Sequence, residues 1–253
     1  MNDRLNIIAV EEKSKPVTSS PLRTRREENQ AKFDRMWHLD PEQFNPLRNC
    51  MERERIERTW NFLTDHIDPN GKRVVDLGSG LGIFAVKLSD AGAHVDAVDV
   101  SKLALSQLPE GVNGVHDCMP STKLSDDAYD VVASLDLIAH LPIRDHRLYM
   151  AELSRLVKRD GFVICSTPLD FRTEGAVELF LQLAETEFEI EKIMISYHAL
   201  YHRFHRIFPQ KSVMYFLERF SRFWWDQRGA SHIIFIGKRR SLWHKKAGDK
   251  PTA

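Results

Sequence analysis

The sequence predicts an α/β fold: a doubly wound, Rossmann-like, seven-stranded and mostly parallel sheet with an N-terminal helical cap and a late helical insertion. Two observations predict this class. Short runs of β-branched residues alternate with segments of helical periodicity from residue 73 onward, and strands joined by helices form parallel sheets through right-handed crossovers. A glycine-rich turn also follows the first of these strands directly, as in α/β proteins that bind nucleotides.

The bulk composition argues against several other classes. The 253 residues include 36 basic and 36 acidic side chains, so there is no overall basic excess of the kind that indicates nucleic-acid binding. The three cysteines, Cys50, Cys118 and Cys165, are widely separated, match no zinc motif and favour a reducing compartment. No apolar run approaches the roughly 18 to 20 residues of a membrane span, and no signal peptide is evident, so we expect a cytoplasmic protein.

Composition divides the chain into four segments. Residues 1–28, rich in charge, Ser, Thr and Pro, are predicted to be a disordered N-terminal extension. Residues 29–70 embed apolar residues in charged sequence and are predicted to form a helical cap of two or three amphipathic helices. The α/β domain is predicted over residues 71–240, with the insertion at about 197–228, and residues 241–253 are predicted to be a flexible tail.

The strands of the predicted sheet are short runs rich in Val, Ile and aromatic residues, bounded by turn residues. They are expected at residues 73–77, 94–98, 114–116, 129–135, 162–166, 189–195 and 232–236. Caps and breakers delimit the helices between them: Gly92 ends the first, Ser101 caps the second and Pro109 ends it. The helices are expected at residues 82–91, 101–108, 145–158 and 174–186.

The turn after the first strand carries the strongest functional signal. Asp76 lies within the strand, and the glycine-rich turn that follows contains Gly78, Ser79, Gly80 and Gly82. Glycines at such a position let the backbone turn tightly and approach a ligand where a Cβ atom would not fit. Alone, the motif indicates a nucleotide-like cofactor, and it also occurs in dinucleotide enzymes and in purely structural turns.

Acidic residues after the next two strands extend this interpretation. Asp99, followed by Val100, ends the second strand, where a carboxylate can accept hydrogen bonds from both hydroxyls of a ribose. Asp117 follows the third strand, where an oxygen of its side chain can face an adenine amino group while Cys118 or Met119 packs on the ring. The structural alternatives are a surface cap for Asp99 and a solvated loop position for Asp117.

Residues 72 to about 168 resemble class I S-adenosylmethionine-dependent methyltransferases. The resemblance rests on DLGSGLG (76–82), SDDAYDVV (125–132), GFVICSTP (161–168), Asp99 and Asp117. It implies S-adenosyl-L-methionine as the cofactor, with Asp76 and the glycines beside the methionine moiety, Asp99 at the ribose and Asp117 at the adenine. Dinucleotide enzymes share the fold. Three features of this sequence argue against them: the acid within the first motif, the acid after the third strand and the acidic segment that leads into the fourth strand.

The segment SLDLIAHLP (134–142) follows the fourth strand, at the edge where ligands of open α/β sheets bind. It resembles the Ser-Leu-Glu-x-x-Glu-His-Leu segment of small-molecule methyltransferases, including those that act on quinone precursors. The resemblance implies that Leu135 adjoins the cofactor and makes Asp136 and His140 the catalytic candidates. Ala139 stands where many relatives carry a second carboxylate, so a base or metal role for that carboxylate does not carry over.

The predicted insertion is rich in aromatic and basic residues. Its simplest interpretation is a lid that packs on the core and roofs the acceptor site together with the helical cap. It can also provide an apolar face for a lipid-like acceptor and peripheral membrane contact, or stack on RNA. His198, His202 and His205 would share one helix face, but no Cys or carboxylate nearby completes a zinc site, and no metal is predicted.

These features predict methyl transfer from S-adenosylmethionine to an oxygen of a small, partly apolar acceptor by in-line displacement. His140 would suit a phenolic or enolic hydroxyl as a base, with packing as its alternative role. Two other functions stay open. One is an RNA or protein methyltransferase, although neutral overall charge disfavours nucleic acid, and the other is a non-catalytic assembly or regulatory protein that binds the cofactor.

Overall fold

The computed structural model describes four ranges of the chain: residues 22–39, 50–170, 173–196 and 230–240. The predicted insertion at 197–228 and the predicted C-terminal tail lie outside these ranges. Within them, no helix is both long and apolar enough to cross a membrane.

Strands and helices alternate through the domain as the sequence predicts. The strands are β1 (Arg73–Leu77), β2 (His94–Asp99), β3 (Asn113–His116), β4 (Tyr129–Leu135), β5 (Val157–Pro168), β6 (Phe188–Ser196) and β7 (His232–Arg239). The helices are α1 (Leu22–Leu39), α2 (Cys50–Thr64), α3 (Ile83–Asp90), α4 (Lys102–Leu105), α5 (His146–Leu156) and α6 (Ala176–Ala184). Helix α1 begins within the segment assigned to the N-terminal extension.

The seven strands form one sheet in the order β3-β2-β1-β4-β5-β7-β6. Strands β1 to β5 pair in parallel, and β7 runs antiparallel to both β5 and β6. The predicted seven-stranded, mostly parallel sheet is therefore confirmed. The strand order reverses between β1 and β4, and ligands of open α/β sheets bind at the carboxyl ends of strands at such a switch point.

The two faces of the sheet have separate hydrophobic cores. Val74 of β1 belongs to a cluster with Phe84 and Leu88 of α3, on the face that also packs against α2. Its neighbour Val75 points to the opposite face and joins a cluster that includes Leu153 of α5. Because consecutive residues of a strand alternate between faces, a strand covered on both sides has to be apolar throughout. This explains the Val-Val pair before the glycine-rich turn.

A buried hydroxyl network fixes β4 beside its neighbours. The Tyr149 hydroxyl of α5 donates to Ser134 Oγ at 2.7 Å and lies 3.3 Å from Cys165 Sγ. All three side chains are fully buried. A buried phenol that found no partner would destabilise the fold, so this network favours one position of α5 against the carboxyl end of β4.

The boundary between α5 and β5 differs from the prediction. The sequence places Lys158 in a helix and starts the next strand at residue 162, whereas α5 ends at Leu156 and β5 begins at Val157. Val157 pairs with Tyr129, and a register shift in the pairing follows between Tyr129 and Val131. The start of β5 is a polar stretch that interrupts the apolar run of the strand, and the register shift accommodates it. Because of this polar stretch, sequence periodicity alone assigned the start of β5 to the helix and a turn.

Candidate functional site

The glycine-rich turn connects β1 to α3 in the left-handed backbone region. The φ angles of Gly78, Gly80 and Gly82 are 73°, 52° and 72°, and residues with a side chain rarely adopt such angles. Space is also limited at Gly80, where a Cβ atom would lie 2.8 Å from Trp37 Cζ2, whereas a Cβ atom on Gly82 would only displace a methyl group of Leu108. In this structure the side chains of Trp37 and Leu108 lie close to these glycines, and the approach of a ligand to the turn stays a prediction.

Asp99 links the end of β2 to the glycine-rich turn. Its Oδ2 accepts a hydrogen bond from the Gly80 amide at 2.9 Å, and its Oδ1 accepts one from the Ser101 amide at 2.8 Å. Burial raises the pKa of Asp99, while the same two amides act in the opposite direction. Each carboxylate oxygen can accept a further hydrogen bond, so the side chain is both fixed in place and able to receive ligand hydroxyls.

Asp76 is a buried acid at the start of the same turn. Asp76 is only 3% exposed to solvent. Burial, followed by the negative charge of Asp99, raises the pKa of Asp76 to about 7, and the positive charge of Arg55 opposes this shift. A cationic group brought beside Asp76 would favour its ionised form, because it would replace the lost hydration and offset the charge of Asp99.

Asp117 organises the loop after β3. Its Oδ1 accepts from the Cys118 amide at 2.9 Å and its Oδ2 accepts from the Lys123 amide at 2.6 Å. Asp117 and Met119 are buried and Cys118 is partly exposed. The carboxylate therefore holds the loop in shape, and its contact with adenine stays a prediction.

Asp136, next to Leu135 at the carboxyl end of β4, is the centre of a polar cluster. Its Oδ1 lies 2.7 Å from both Ser166 Oγ and His232 Nε2, and its Oδ2 lies 3.1 Å from Arg55 Nη1. Burial alone would raise the pKa of Asp136, but His232 and Arg55 hold it well below its usual range. An acid that stays ionised in this way is a weak base, so its geometry suits positioning and electrostatics better than proton transfer.

His140 ends a short 3-10 turn, Ile138–His140, beyond β4. Its imidazole packs edge-on against the Phe33 ring of α1, with ring centroids 5.4 Å apart. Burial and the positive charge of Lys32 lower the pKa of His140, and Asp136 acts in the opposite direction. The imidazole is therefore neutral near pH 7 and able to accept a proton.

Helix α1 lies over the switch point and contacts both halves of the site. Asp34 accepts a hydrogen bond from the Ser101 hydroxyl at the start of α4. Trp37, which is 8% exposed, covers the glycine-rich turn, and Phe33 covers His140. Phe33 and Trp37 are one helical turn apart, so a single face of α1 spans the predicted cofactor loop and the predicted base.

Comparison with known proteins decides the family. The sequence profile of a methyltransferase domain matches residues 47–229, which is most of the chain. The chain belongs to this methyltransferase domain family. The predicted family is thereby confirmed, and the competing assignment to dinucleotide enzymes is set aside.

Curated relatives of this methyltransferase-family chain share part of its length. It is 32% identical over 115 residues to a protein named ubiquinone biosynthesis O-methyltransferase from Burkholderia thailandensis, covering 42% of this chain and 49% of that protein. It is 31% identical over 147 residues to the protein of the same name from Burkholderia pseudomallei, covering 54% and 60%. The chain thus spans about half to three-fifths of the length of these relatives.

Solved structures share the fold at low sequence identity. The N-methyltransferase NodS from Bradyrhizobium japonicum, solved in complex with S-adenosyl-L-homocysteine, superposes with a TM-score of 0.59 at 11% identity, covering 84% of this chain and 99% of that one. At this identity the likeness establishes the fold only.

Three residues of the methyltransferase-family site were not identified from the sequence: Arg55, Ser166 and His232. They come from α2, β5 and β7, and they meet at Asp136 although the chain separates His232 from Asp136 by 96 positions. Ser166 and His232 stand at strand ends on the same sheet edge as β4, since Ser166 pairs with Leu135 and His232 pairs with Pro168. A correct prediction that β7 pairs with β5 would have placed Ser166 and His232 close together.

Two buried polar atoms of this site make no hydrogen bond within the described ranges: Ser79 Oγ and Arg55 Nη1. Both belong to residues that adjoin the acids at the ends of β1 and β4. A buried donor without an acceptor is unfavourable and indicates a missing partner. These atoms therefore fit a cofactor that ends in charged polar groups, such as the amino-acid end of S-adenosylmethionine. No cluster of three metal-ligating side chains occurs among the residues described.

Proposed function

We propose that this methyltransferase-family protein transfers the methyl group of S-adenosylmethionine to an oxygen atom of a small, partly apolar acceptor. The observation that carries the proposal is the position of the Asp99 carboxylate, which the Gly80 and Ser101 amides hold at the switch point of the sheet. Its free acceptor capacity suits the two hydroxyls of a ribose, and the glycine-rich turn adjoins it directly.

The remaining contacts with the cofactor follow from the positions of the other polar groups. Asp76 suits the ammonium group of the methionine moiety, because ionising this buried acid beside Asp99 needs a nearby cation. Asp117 would meet the adenine amino group, with Cys118 and Met119 beside the ring. The residues expected to line the same cleft are Gly78, Ser79, Gly82, Val100 and Leu135.

The reaction needs alignment and one proton acceptor. When bound, S-adenosylmethionine supplies an electrophilic methyl group on a sulfonium. With the donor bound, the neutral His140 imidazole would accept the proton of the acceptor hydroxyl as its oxygen takes the methyl group, and S-adenosyl-L-homocysteine would be the leaving product. Helix α1 places Phe33 against His140 and Trp37 against Gly80, so it would orient the acceptor for in-line attack.

The acceptor we favour is an aromatic molecule that carries a hydroxyl group. Phe33 offers it an aromatic surface beside His140, and Leu137 and Leu141 are partly buried apolar residues on the same segment. The curated relatives, named for ubiquinone biosynthesis, are consistent with such a molecule. We expect a cytoplasmic enzyme that reaches a lipid-like acceptor through peripheral membrane contact of residues 197–228.

The test incubates the purified full chain with methyl-labelled S-adenosylmethionine and a bacterial lipid-soluble extract, alongside a panel of simple phenols and catechols. We expect label in an organic-phase product, and we expect Asp99→Ala to abolish most of it. Label that stays wholly in the aqueous phase would contradict the proposal. Label recovered in RNA or protein would support the alternative substrates, and cofactor binding without any labelled product would support a non-catalytic role.

A further inference from the structure

We propose that His232 of β7 is a positioning residue that holds Asp136 in place, so that the Asp136 carboxylate supports the His140 imidazole when this base takes the proton of the acceptor. The inference deepens the proposed function and rests on its assignment of His140 as the base. No sequence motif gave His232 a role, and it contacts Asp136 from 96 positions along the chain.

Asp136 has a left-handed backbone, with φ 59°, which residues with a side chain seldom adopt. Such a conformation persists only where the surroundings fix it. The Asp136 amide donates to the carbonyl oxygen and to Oγ of Ser166, each at 3.1 Å, and Ser166 Oγ donates to Asp136 Oδ1 at 2.7 Å. Asp136 is therefore a fixed point between β4 and the 3-10 turn that ends at His140.

His232 fixes the side chain of Asp136. Its Nε2 lies 2.7 Å from Asp136 Oδ1, and Nε2 is the donor because an ionised carboxylate only accepts hydrogen bonds. The backbone of His232 is paired on both sides, with Pro168 of β5 and Ser196 of β6. The Asp136 side chain is 21% exposed and that of His232 only 7%, so the carboxylate is the more accessible of the two groups.

His232 also maintains the charge of Asp136. Burial would raise the pKa of this buried acid, and among the interactions that lower it the one with His232 comes first, ahead of the one with Arg55. Arg55 faces the other oxygen, with Nη1 3.1 Å from Oδ2. With both partners in place the carboxylate stays ionised, so it is a fixed negative charge beside the proposed base.

The charge of Asp136 acts on His140, four positions later. Within the described ranges, the charged groups that act on this imidazole are Lys32 of α1, which lowers its pKa, and Asp136, which raises it. His140 becomes a cation when it takes the proton, and a carboxylate already fixed nearby stabilises the cation more than the neutral ring. No proton passes to Asp136 or His232. Asp136 therefore strengthens the base without acting as one.

The competing explanation is that His232 only stabilises the fold by pairing with a buried acid. Both explanations predict that replacing His232 lowers the free energy of unfolding. They differ in the rate of methyl transfer. A structural His232 affects the rate independently of Asp136 or not at all, whereas a positioning residue acts through Asp136 and loses its effect once Asp136 is replaced.

The test is a double-mutant cycle on the rate constant of single-turnover methyl transfer. It uses the full chain, saturating S-adenosylmethionine and the phenol or catechol that gives the most labelled product. Asp136→Asn and His232→Leu are each expected to lower the rate constant by about 5-fold to 50-fold. The double variant is expected to lose no more than the more impaired single variant.

The pH profile and a conservative variant add readouts that a purely structural role would not move. Asp136→Asn should shift the acid limb down by about 0.5 to 1 pH unit, because removing a negative charge lowers the pKa of His140. His232→Gln places an amide donor near the position of Nε2, and should restore the rate to within about 3-fold of the wild type.

The matched control is His146→Leu. His146 is a buried histidine at the start of α5, with Nε2 3.1 Å from the carbonyl oxygen of Leu141, and it makes no contact with Asp136 among the described hydrogen bonds. Its replacement should lower the free energy of unfolding and leave both the rate and the acid limb at their wild-type values.

A wild-type rate in His232→Leu, or a double variant that loses the product of the two single effects, would overturn the role of His232. An unshifted acid limb in Asp136→Asn would overturn it as well. If His232→Leu does not fold, His232→Asn takes its place, because its shorter amide cannot reach the position of Nε2. Absence of methyl transfer by the wild type to every phenol and catechol would instead refute the proposed acceptor, and the role of His232 with it.

Discussion

The indole of Trp37 lies against Gly80, so closely that a Cβ atom at this glycine would stand 2.8 Å from Trp37 Cζ2. A residue of the N-terminal cap thus covers the turn that is proposed to hold the cofactor. A bound donor has to lie beneath this indole or displace it. Either outcome changes the surroundings of Trp37, which makes its fluorescence a direct reporter of the cleft.

We predict that S-adenosyl-L-homocysteine changes the tryptophan emission of the protein and that Trp37→Phe removes most of this change. The matched control is Trp60→Phe, since Trp60 packs against Phe84 and Lys87 on the α3 side. Steady-state fluorescence titration measures both. An equal response in the wild type and in Trp37→Phe would show that the ligand binds away from the glycine-rich turn.

Asp99 should be the most sensitive position for cofactor affinity. Asp99→Ala is expected to weaken the binding of S-adenosyl-L-homocysteine by about 1 to 3 kcal/mol, because the ribose hydroxyls lose a charged acceptor and the Gly80 amide loses its partner. Calorimetry measures the difference, with Asp90→Ala, an exposed acid at the end of α3, as the control. Unchanged affinity in Asp99→Ala would rule out the ribose contact.

Cofactor binding should release protons near neutral pH. The pKa of Asp76 is about 7, well above its ordinary value, so the fold favours the protonated acid and ionisation costs stability as the pH rises through 7. An ammonium group beside Asp76 reverses this preference, so binding should strengthen between pH 6 and 8 and release about half a proton per site at pH 7.

Titrations in two buffers of different ionisation enthalpy measure this release. Asp76→Asn removes the titrating group and serves as the control for the rest of the site. Proton uptake in the wild type, or the same release in Asp76→Asn, would contradict the assignment of Asp76 to the ammonium group.

His140 should affect turnover and leave cofactor affinity unchanged. For a phenolic acceptor, His140→Gln is expected to lower kcat by about 10²-fold to 10⁴-fold, the usual contribution of a general base. Since burial and Lys32 lower the pKa of His140, wild-type turnover at saturating S-adenosylmethionine should decline only as the pH falls below 6.5. Single-turnover methyl transfer across pH 5 to 8 checks both statements, and a wild-type acid limb retained in His140→Gln would exclude this base.

The sequence was sufficient for the features that depend on neighbouring residues. Asp76, the glycines and Asp99 stand at strand ends that β-branched runs delimit, and parallel pairing brings the ends of β1 and β2 to one edge. The start of β5 was missed, because its first pair, Val157 with Tyr129, precedes a register shift and a polar stretch. The local sequence pattern does not show which residues pair between strands.

The cluster around Asp136 could not be predicted in the same way. Arg55 is one of several basic residues in a charged helix, and His232 is a single histidine beside a strand. Their roles arise only when α2 and β7 dock against the end of β4. The energetic reason is also non-local, since a buried carboxylate has to recruit positive partners from whatever segments pack beside it.

Calorimetry with two adenine-containing cofactors tests the central claim most directly, because the proposed cleft is specific for an adenosyl amino acid. The wild-type chain should bind S-adenosyl-L-homocysteine at one site per chain and give no binding heat with NADH. Binding of NADH at the Asp99 site, or no binding of S-adenosyl-L-homocysteine by folded protein, would contradict it.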